Sequence, residues 1–226
     1  MREELKARAY NSTRQDGAFI LSADTGVDGM IYPPLEARQM HRDAEECSTE
    51  RIYLHQHTDF MDLDKVIYVD TDTLWLDDAV WWWTHFAHMR TLNASFGMAE
   101  ESNSGGSWYT GGHIPRHGER GVNAGVLMSS LAAVRVSNFT TERDAIIDHY
   151  SPLGKLQLGD QDILNIYGHN HPHQIYVMPC MFNFRYDAAC QQGQPILVHG
   201  NRALKDKTDT SYNHLYTFFS KIHLGN

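Results

Sequence analysis

Short apolar runs, separated by polar segments, recur along most of the chain. The clearest is Val66–Val69, which reads Val-Ile-Tyr-Val between Lys65 and Asp70. Because its apolar side chains are consecutive and do not alternate with polar ones, this run predicts a central strand covered on both faces. Phe96–Ala99 and Asn123–Met128 predict two further buried strands. The pattern therefore indicates a sheet with layers on both sides.

Weaker apolar runs predict the remaining strands, at Ala18–Leu21, Met30–Tyr32, Tyr176–Met178 and Ile196–Val198. Segments compatible with helices lie between them, at Leu35–Glu46, from about Glu50, and at Asp78–Met89, Leu131–Phe139, Thr141–Tyr150 and Asp160–Tyr167. The segment Ser102–Arg120 is rich in Gly, Ser and His, which predicts a loop. Strands that alternate with helices are typical of an α/β domain.

Composition narrows the class of protein. The chain has 226 residues, 42% of them hydrophobic and 21% charged, which fits one globular domain. The formal net charge of −9 argues against a nucleic-acid partner, since a phosphate backbone favours a basic surface. No apolar run approaches the roughly 20 residues of a membrane helix. The charged start, MREELKARAY, also lacks the apolar stretch of a signal peptide.

Two further features bear on the cellular compartment. The cysteines are Cys47, Cys180 and Cys190. An odd count leaves one unpaired, and the last two are spaced to close a short loop. The asparagines Asn11, Asn93 and Asn138 each begin an Asn-X-Ser/Thr tripeptide. These tripeptides have the form of N-glycosylation acceptors, although such tripeptides also arise by chance.

A candidate metal site follows the clearest strand, within Tyr68–Asp72. Asp70 and Asp72 stand at the carboxyl end of this strand, where open α/β sheets bind ligands. Two neighbouring carboxylates repel each other, and a divalent cation such as Mg²⁺ or Mn²⁺ would compensate. His199 follows another apolar run, and a neutral imidazole would favour Mn²⁺. The alternative is an acidic loop of helix-capping aspartates and a surface histidine.

Two other segments combine polar groups with glycine. Gly121–Met128, GVNAGVLM, places the amide of Asn123 ahead of an apolar run. It predicts either a sugar-binding amide with close approach of the backbone to a ligand, or a tight turn into a strand. Gly159–Asn165, GDQDILN, places Asp160 and Gln161 at a helix start. Asp160 is also an ordinary N-cap residue type, and Gln161 is harder to explain by capping.

The motifs DTD, GVNAGVLM, GDQDILN, YVMPCMFNFR and ILVHGNR occur in this order. In this the chain resembles glycosyltransferase family eight, and within it the glucoside xylosyltransferases, which add xylose to O-linked glucose on EGF-like repeats. The resemblance covers roughly Cys47–Arg202. It implies a Rossmann-like A-type fold with a mixed, mostly parallel sheet, and retaining transfer with Mn²⁺, or Mg²⁺, and a UDP-sugar donor. It also implies a glycan or glycoprotein acceptor and a location in the Golgi or ER lumen.

The resemblance also implies roles for individual residues. The metal ligands would be Asp70, Asp72 and His199. Together with the two aspartates, the donor would be bound by Arg51, Asn123, Ala124, Gly125 and Gly200. Asp160 and Gln161 match the pair beside the donor sugar and are the candidate catalytic residues. Because an amide oxygen is a poor nucleophile, Gln161 is predicted to position the sugar.

The chain departs from the family at both ends of the match. We predict one domain over 1–226, with a poorly matched part at 1–46, a family-like core at 47–202 and a C-terminal tail or helix at 203–226. Since little chain precedes the core, we expect the N-terminal part of the sheet and much of the uracil pocket to be absent or altered. The family often has a lysine after the metal histidine, and Lys205 and Lys207 are both candidates.

The sequence is also compatible with two other functions. A haloacid-dehalogenase-like phosphatase would also place DTDT after an apolar strand, although GVNAGVLM has no role in it. The other rival is a relative that kept the metal site and lost catalysis.

Overall fold

The computed structural model describes the backbone of residues 18–23, and residues 48–70, 72–101, 109, 112, 114–186, 190, 193–200 and 212–214. Several predictions lie outside these residues. They are the strand at Met30–Tyr32, the helix at Leu35–Glu46, and most of both the loop at Ser102–Arg120 and the tail at 203–226, including both candidate lysines.

Seven strands lie in the described residues: β1 Ala18–Ala23, β2 Lys65–Asp70, β3 Thr73–Trp75, β4 Phe96–Glu100, β5 Val122–Ser129, β6 Ile175–Met178 and β7 Leu197–His199. Five of them form one sheet in the order β1-β2-β5-β4-β6, and β3 pairs with β7. The pairs β1/β2 and β4/β6 are parallel, whereas β5 is antiparallel to both of its neighbours. Four of these five strands thus run in one direction, which confirms the mixed, mostly parallel sheet.

The α-helices of the described residues are α1 Val80–Leu92, α2 Leu131–Val136, α3 Phe139–Tyr150 and α4 Asp160–Asn170. Short 3₁₀ helices cover Ser48–Ile52, Leu54–Gln56, Thr58–Phe60, Ser151–Leu153, Pro172–Gln174 and Cys180–Asn183. Strands and helices alternate along the chain, so the predicted α/β class is confirmed. None of the described helices combines the length and the apolar character needed to cross a bilayer.

The predicted helix from about Glu50 is wrong, because 3₁₀ turns occupy this segment. Carbonyl groups that an α-helix would use for its own hydrogen bonds are taken by arginine side chains. Arg135 donates to the carbonyl oxygens of His55, Phe60 and Leu63 at 3.1, 2.7 and 2.9 Å. These bonds tie the segment to α2 and favour tight local turns.

The predicted helix at Leu131–Phe139 is interrupted. α2 ends at Val136, and Ser137 is extended, with φ −85° and ψ 175°. The Ser137 hydroxyl accepts a hydrogen bond from the N–H of Phe139 at 3.1 Å, at the start of α3. Serine is a residue type that competes with helix continuation in this way.

The central strand β2 is covered on both faces, as predicted. Val66 and Tyr68 pack in one core layer, with α3 and α4, while Ile67 and Val69 pack in the other, with α1. On α1, Trp82 is fully buried, whereas the tryptophan before it is 48% exposed. The three consecutive tryptophans therefore do not all face one core.

The N-terminal region contributes a strand to the sheet. β1 lies parallel to β2, with Ala18 opposite Lys65 and Ala23 opposite Asp70. Part of the sheet is therefore built by the N-terminal region, and the expectation of its absence is wrong for this strand.

Cys180 and Cys190, which both lie in the segment that connects β6 to β7, form a disulfide bond.

Candidate active site

Three strands bring polar residues to one edge of the sheet. Asp70 ends β2, and Glu101 directly follows β4. β5 runs the opposite way, and its first residues therefore lie at the same edge, with Asn123 opposite Ala99 of β4. The start of β5 is thus placed between the ends of its two neighbours, which explains why these distant segments converge.

The three predicted metal ligands lie together at this edge. The pairing of β3 with β7 places His199 opposite Thr73, next to the turn that carries Asp72. The Nε2 atom of His199 is 3.5 Å from Oδ2 of Asp70 and 3.4 Å from Oδ1 of Asp72. Within the described residues, these are the three side chains close enough to share one cation. Such separations suit ligands of one Mg²⁺- or Mn²⁺-sized ion, with bonds of about 2.1 Å.

The backbone of the aspartate turn is held by hydrogen bonds to its carbonyl groups. The N–H of Gly200 donates to the Asp72 carbonyl at 2.7 Å, and the Tyr212 hydroxyl donates to the same oxygen at 2.5 Å. A side chain at position 200 would collide with the Tyr212 ring. Gly200 thus holds Asp72 in place here, and its contact with the donor stays a prediction.

Arg51 is a buried, positively charged side chain that connects Asp70, one of the predicted metal ligands, to Asp160 on α4. Its Nη2 donates to Oδ1 of Asp70 at 2.9 Å, and its Nε lies 2.8 Å from Oδ2 of Asp160. Nη1 donates to the carbonyl of Ala124, and the guanidinium lies 4.4 Å from the Tyr68 ring centre. Burial alone would lower the pKa of Arg51, but the two carboxylates raise it above its ordinary value, so the side chain stays charged.

Among the described residues, the charges at this end of the site do not balance. Asp70, Asp72 and Asp160 supply three carboxylates and Arg51 supplies one guanidinium, which leaves two negative charges in this described group. A divalent cation would neutralise this excess. Asp160 is the first residue of α4, and the N-cap position is taken by glycine. Its ion pair with Arg51 therefore replaces the capping interpretation.

The amide of Gln161 is fully engaged with protein groups. Its Oε1 accepts from the N–H of Ala124 at 3.0 Å and from Nδ2 of Asn123 at 3.1 Å. Its Nε2 donates to Oε2 of Glu101 at 3.0 Å and to the Tyr109 hydroxyl at 3.4 Å. Gln161 is therefore fixed against the start of β5.

Asn123 is engaged in the same way. Its Nδ2 donates to Glu101 at 2.9 Å and to Gln161. Its Oδ1 accepts from the N–H of Gly125 at 3.0 Å and from Nδ2 of Asn183 at 2.8 Å. Because both amides use all of their donors and acceptors internally, a sugar hydroxyl that binds either one must replace an existing bond.

Gly125 lies directly beneath the imidazole of His199. A Cβ atom built at position 125 would overlap the ring itself. The absence of a side chain here thus allows the histidine to lie against the β5 backbone. The close neighbour of the Gly125 backbone is thus a side chain of the protein itself, and the approach of a ligand to GVNAGVLM stays a prediction.

Several residues of the site were not predicted from the sequence. Glu101 accepts from both amides and forms an ion pair with Arg185, whose Nη1 lies 3.2 Å from Oε1 of Glu101. Tyr109 donates to Oδ1 of Asp162 at 2.8 Å, and burial raises the pKa of the Tyr109 phenol, which keeps it protonated. Glu101 follows a buried strand just as Asp70 does, so the same strand-end argument would have found it.

Two solved structures share the fold. One is mouse xyloside xylosyltransferase 1 in its apo form, with a TM-score of 0.53 and 21% identity, covering 77% of this chain and 71% of that one. The other is the galactosyltransferase LgtC in complex with donor and acceptor sugar analogues, with a TM-score of 0.61 and 20% identity, covering 82% and 70%. The architecture is thus the Rossmann-like A-type fold of glycosyltransferases, as predicted.

The sequence comparison is more specific. The family model of glycosyl transferase family 8 matches residues 50–208, and the chain belongs to this family. It is 28% identical to human glucoside xylosyltransferase 1 over 222 residues, covering 89% of this chain and 50% of the relative. It is 27% identical to the Danio rerio glucoside xylosyltransferase 1 over 199 residues, covering 79% and 48%. The chain thus spans about half the length of these curated relatives.

Family membership confirms the resemblance and leaves the haloacid-dehalogenase-like phosphatase without support. Of the residues predicted for the site, the structure brings all those that it describes to one edge of the sheet. The roles of these residues, and the domain boundaries at 46 and 202, stay predictions.

Proposed function

We propose that the chain is a metal-dependent retaining glycosyltransferase that moves a sugar from a UDP-sugar to a glycan acceptor. The observation that carries this proposal is the convergence of Asp70, Asp72 and His199 beside the amides of Asn123 and Gln161. Membership of glycosyl transferase family 8 supports the class of reaction.

In this proposal Asp70, Asp72 and His199 hold Mn²⁺, with Mg²⁺ as the alternative. The bound cation would stabilise the negative charge that develops on the UDP leaving group. Arg51 keeps Asp70 oriented by its hydrogen bond and supplies a fixed positive charge next to it. The preorganised position of these groups is what favours the transition state, since they need not rearrange during reaction.

Asn123, Ala124, Gly125 and Gly200 would bind the donor, and Asp160 and Gln161 would lie beside the donor sugar. Gln161 acts as a positioning group in this scheme, because its amide is held from four directions. Binding of the sugar would exchange one of these internal bonds for a bond to a hydroxyl group.

The relatives named glucoside xylosyltransferases support xylose as the transferred sugar and a glucoside as the acceptor. O-linked glucose on EGF-like repeats is the acceptor that we propose. The disulfide between Cys180 and Cys190 supports a location in the ER or Golgi lumen, because such bonds persist in oxidising compartments.

Calorimetric titration of UDP into the purified chain, with Mn²⁺ and then with EDTA, tests the proposal. We expect binding that requires the metal and is abolished in Asp72→Asn, because this change removes the charge of one ligand. Asp148→Asn is the matched control, since it removes an exposed carboxylate on α3. Circular dichroism checks that both variants are folded.

UDP-xylose and UDP-glucose are then compared as donors, with an O-glucosylated EGF-like repeat as acceptor. Metal-dependent UDP binding without transfer or donor hydrolysis would favour the non-catalytic relative. Unchanged binding by Asp72→Asn would show that the metal assignment is wrong.

A further inference from the structure

A chain of hydrogen bonds leads from a backbone N–H to the metal-side histidine. The N–H of Gly125 is a donor by its chemistry, and it donates to Oδ1 of Asn123 at 3.0 Å. The oxygen of Asn123 is therefore the atom on this side, and its nitrogen faces Glu101 and Gln161. The orientation of this amide is thus fixed by a group that cannot exchange roles.

The orientation of the Asn183 amide follows from that of the Asn123 amide. The atom of Asn183 that faces Oδ1 of Asn123, at 2.8 Å, must be a donor, so it is Nδ2. The other end of this amide, Oδ1, then lies 3.0 Å from Nδ1 of His199. Because an amide oxygen can only accept, Nδ1 of His199 must carry the proton.

We infer that Asn183 is a positioning residue that fixes the tautomer of His199, with the proton on Nδ1 and the lone pair of Nε2 directed at Asp70 and Asp72. This inference rests on the proposed function for its purpose, because only the lone pair of a neutral imidazole can bind a cation. Its geometry is independent of any ligand.

Burial makes the arrangement effective. Asn183 and His199 are only 1% and 3% exposed, so water does not compete for the bond between them. If the Asn183 amide were reversed, its oxygen would face the oxygen of Asn123, and its NH₂ group would face Nδ1 of His199. Two buried acceptors in contact are unfavourable, which opposes the other tautomer.

The position of Asn183 also links the two halves of the site. Through one amide it contacts the metal-side histidine and the asparagine that we place beside the donor sugar. Partners of this kind orient the ligand ring and raise its basicity, and their loss typically weakens metal binding by about 10- to 100-fold.

The first test is a nitrogen-15 NMR spectrum of the histidine rings in the metal-free chain, in which the loss of a signal in His199→Gln assigns His199. A proton on Nδ1 is the expected result. A proton on Nε2 with none on Nδ1 would overturn the inference. This measurement needs neither a variant at position 183 nor any activity.

The second test compares Asn183→Leu with Asn183→Asp in Mn²⁺ titrations followed by the electron paramagnetic resonance of free Mn²⁺. Leucine removes both bonds, and we expect metal affinity to fall about 10- to 100-fold. Aspartate still accepts from Nδ1 of His199 but cannot donate to Asn123. We therefore expect it to retain most of the metal affinity and to lose the advantage of a UDP-sugar over UDP.

Equal loss of metal affinity in the two variants, or none in Asn183→Leu, would contradict the inference, provided that thermal unfolding shows both to be folded. If the unaltered chain binds no Mn²⁺, the proposed function fails. The NMR spectrum of the metal-free chain then still decides the tautomer.

Discussion

At the scale of single residues, the site depends on position 125 being glycine, which has no side chain. The His199 ring lies against the backbone of Gly125, and both residues are held by hydrogen bonds, Gly125 to Asn123 and His199 to Asn183. Position 125 has no left-handed backbone conformation, so alanine would not be strained there by its own φ. The effect of a substitution should therefore fall on the histidine.

We predict that Gly125→Ala leaves the chain folded but displaces the His199 ring, so that Mn²⁺ affinity falls at least tenfold. Gly97→Ala in β4 is the matched control, because its new Cβ would meet Sδ of Met89 at 3.1 Å and Cβ of Met128 at 3.3 Å, neither of which belongs to the site. Calorimetry with Mn²⁺ and thermal unfolding are measured on both. Equal metal affinity in the two variants would contradict the prediction.

Some residues of the site follow a local sequence pattern, whereas others are placed by contacts with distant parts of the chain. Asp70 and His199 were predicted because each directly follows an apolar run, so a local pattern places it at a strand end. Asn183 and Arg185 lie in the quoted YVMPCMFNFR stretch, but their partners are distant in sequence: Asn183 reaches Asn123 across 60 positions. No periodicity reports such a contact, which exists only once the sheet has formed.

At the scale of elements, the segment of 3₁₀ turns between residues 48 and 60 is held against α2 and α3 by side chains. His55 is buried there, and its Nε2 lies 2.9 Å from the Thr140 hydroxyl at the start of α3. Burial, with the charges of Arg143 and Arg135, lowers the pKa of His55 to about 4. The folded state therefore favours the neutral ring.

This lowered pKa predicts a loss of stability in acid. Since the ordinary pKa of histidine is 6.5, the unfolded chain takes up the proton first as the pH falls from about 6.5 to about 4. Over this window the unfolding free energy of the unaltered chain should fall relative to that of His55→Gln, as measured by urea denaturation. Burial raises the pKa of Glu50 to about 7, which acts in the opposite direction, but both proteins carry it. A difference that does not vary with pH would refute the prediction.

Elements were predicted best where burial alone decides them. The strands β2, β4 and β5 are continuous apolar runs, and their structural bounds differ from the predicted ones by one residue at each end, or less. β3 was missed, because its three residues form a strand only through pairing with β7, more than a hundred positions later. The turns near Glu50 were mistaken for a helix, because the arginines that hold them come from other parts of the chain.

At the scale of the whole molecule, the disulfide connects the end of β6 to the approach to β7. It closes a loop with a sequence separation of 10, which carries Asn183 and Arg185 into the site. Within this loop, Phe184 exchanges backbone hydrogen bonds with β7, at 2.9 Å to Leu197 and 2.8 Å to His199. The covalent bond thus restrains a segment that supports both the metal ligand and the amide network.

We predict that replacing Cys180 and Cys190 together by serine lowers the free energy of unfolding by about 3 kcal/mol, from the chain entropy of a loop of this size. Urea denaturation measures the change. A reducing agent should weaken the unaltered chain by a similar amount and have no effect on the double variant. Equal stability of the oxidised and reduced chains would contradict the prediction.

The opposite direction of β5 has a consequence for which parts of the chain can vary without moving the predicted metal ligands. The connection from β4 to β5 begins at Glu101 and ends at Gly121. The N–H of Glu101 donates a hydrogen bond to the carbonyl of Gly121 at 2.9 Å. This bond closes the connection at its base, and within the connection Tyr109 and Ile114 are buried in the hydrophobic core. Substitutions in this connection that retain Ile114 and the hydrogen bond from Tyr109 to Asp162 would therefore leave the predicted metal ligands in place, since those residues lie on β2, on β7 and in the turn between β2 and β3.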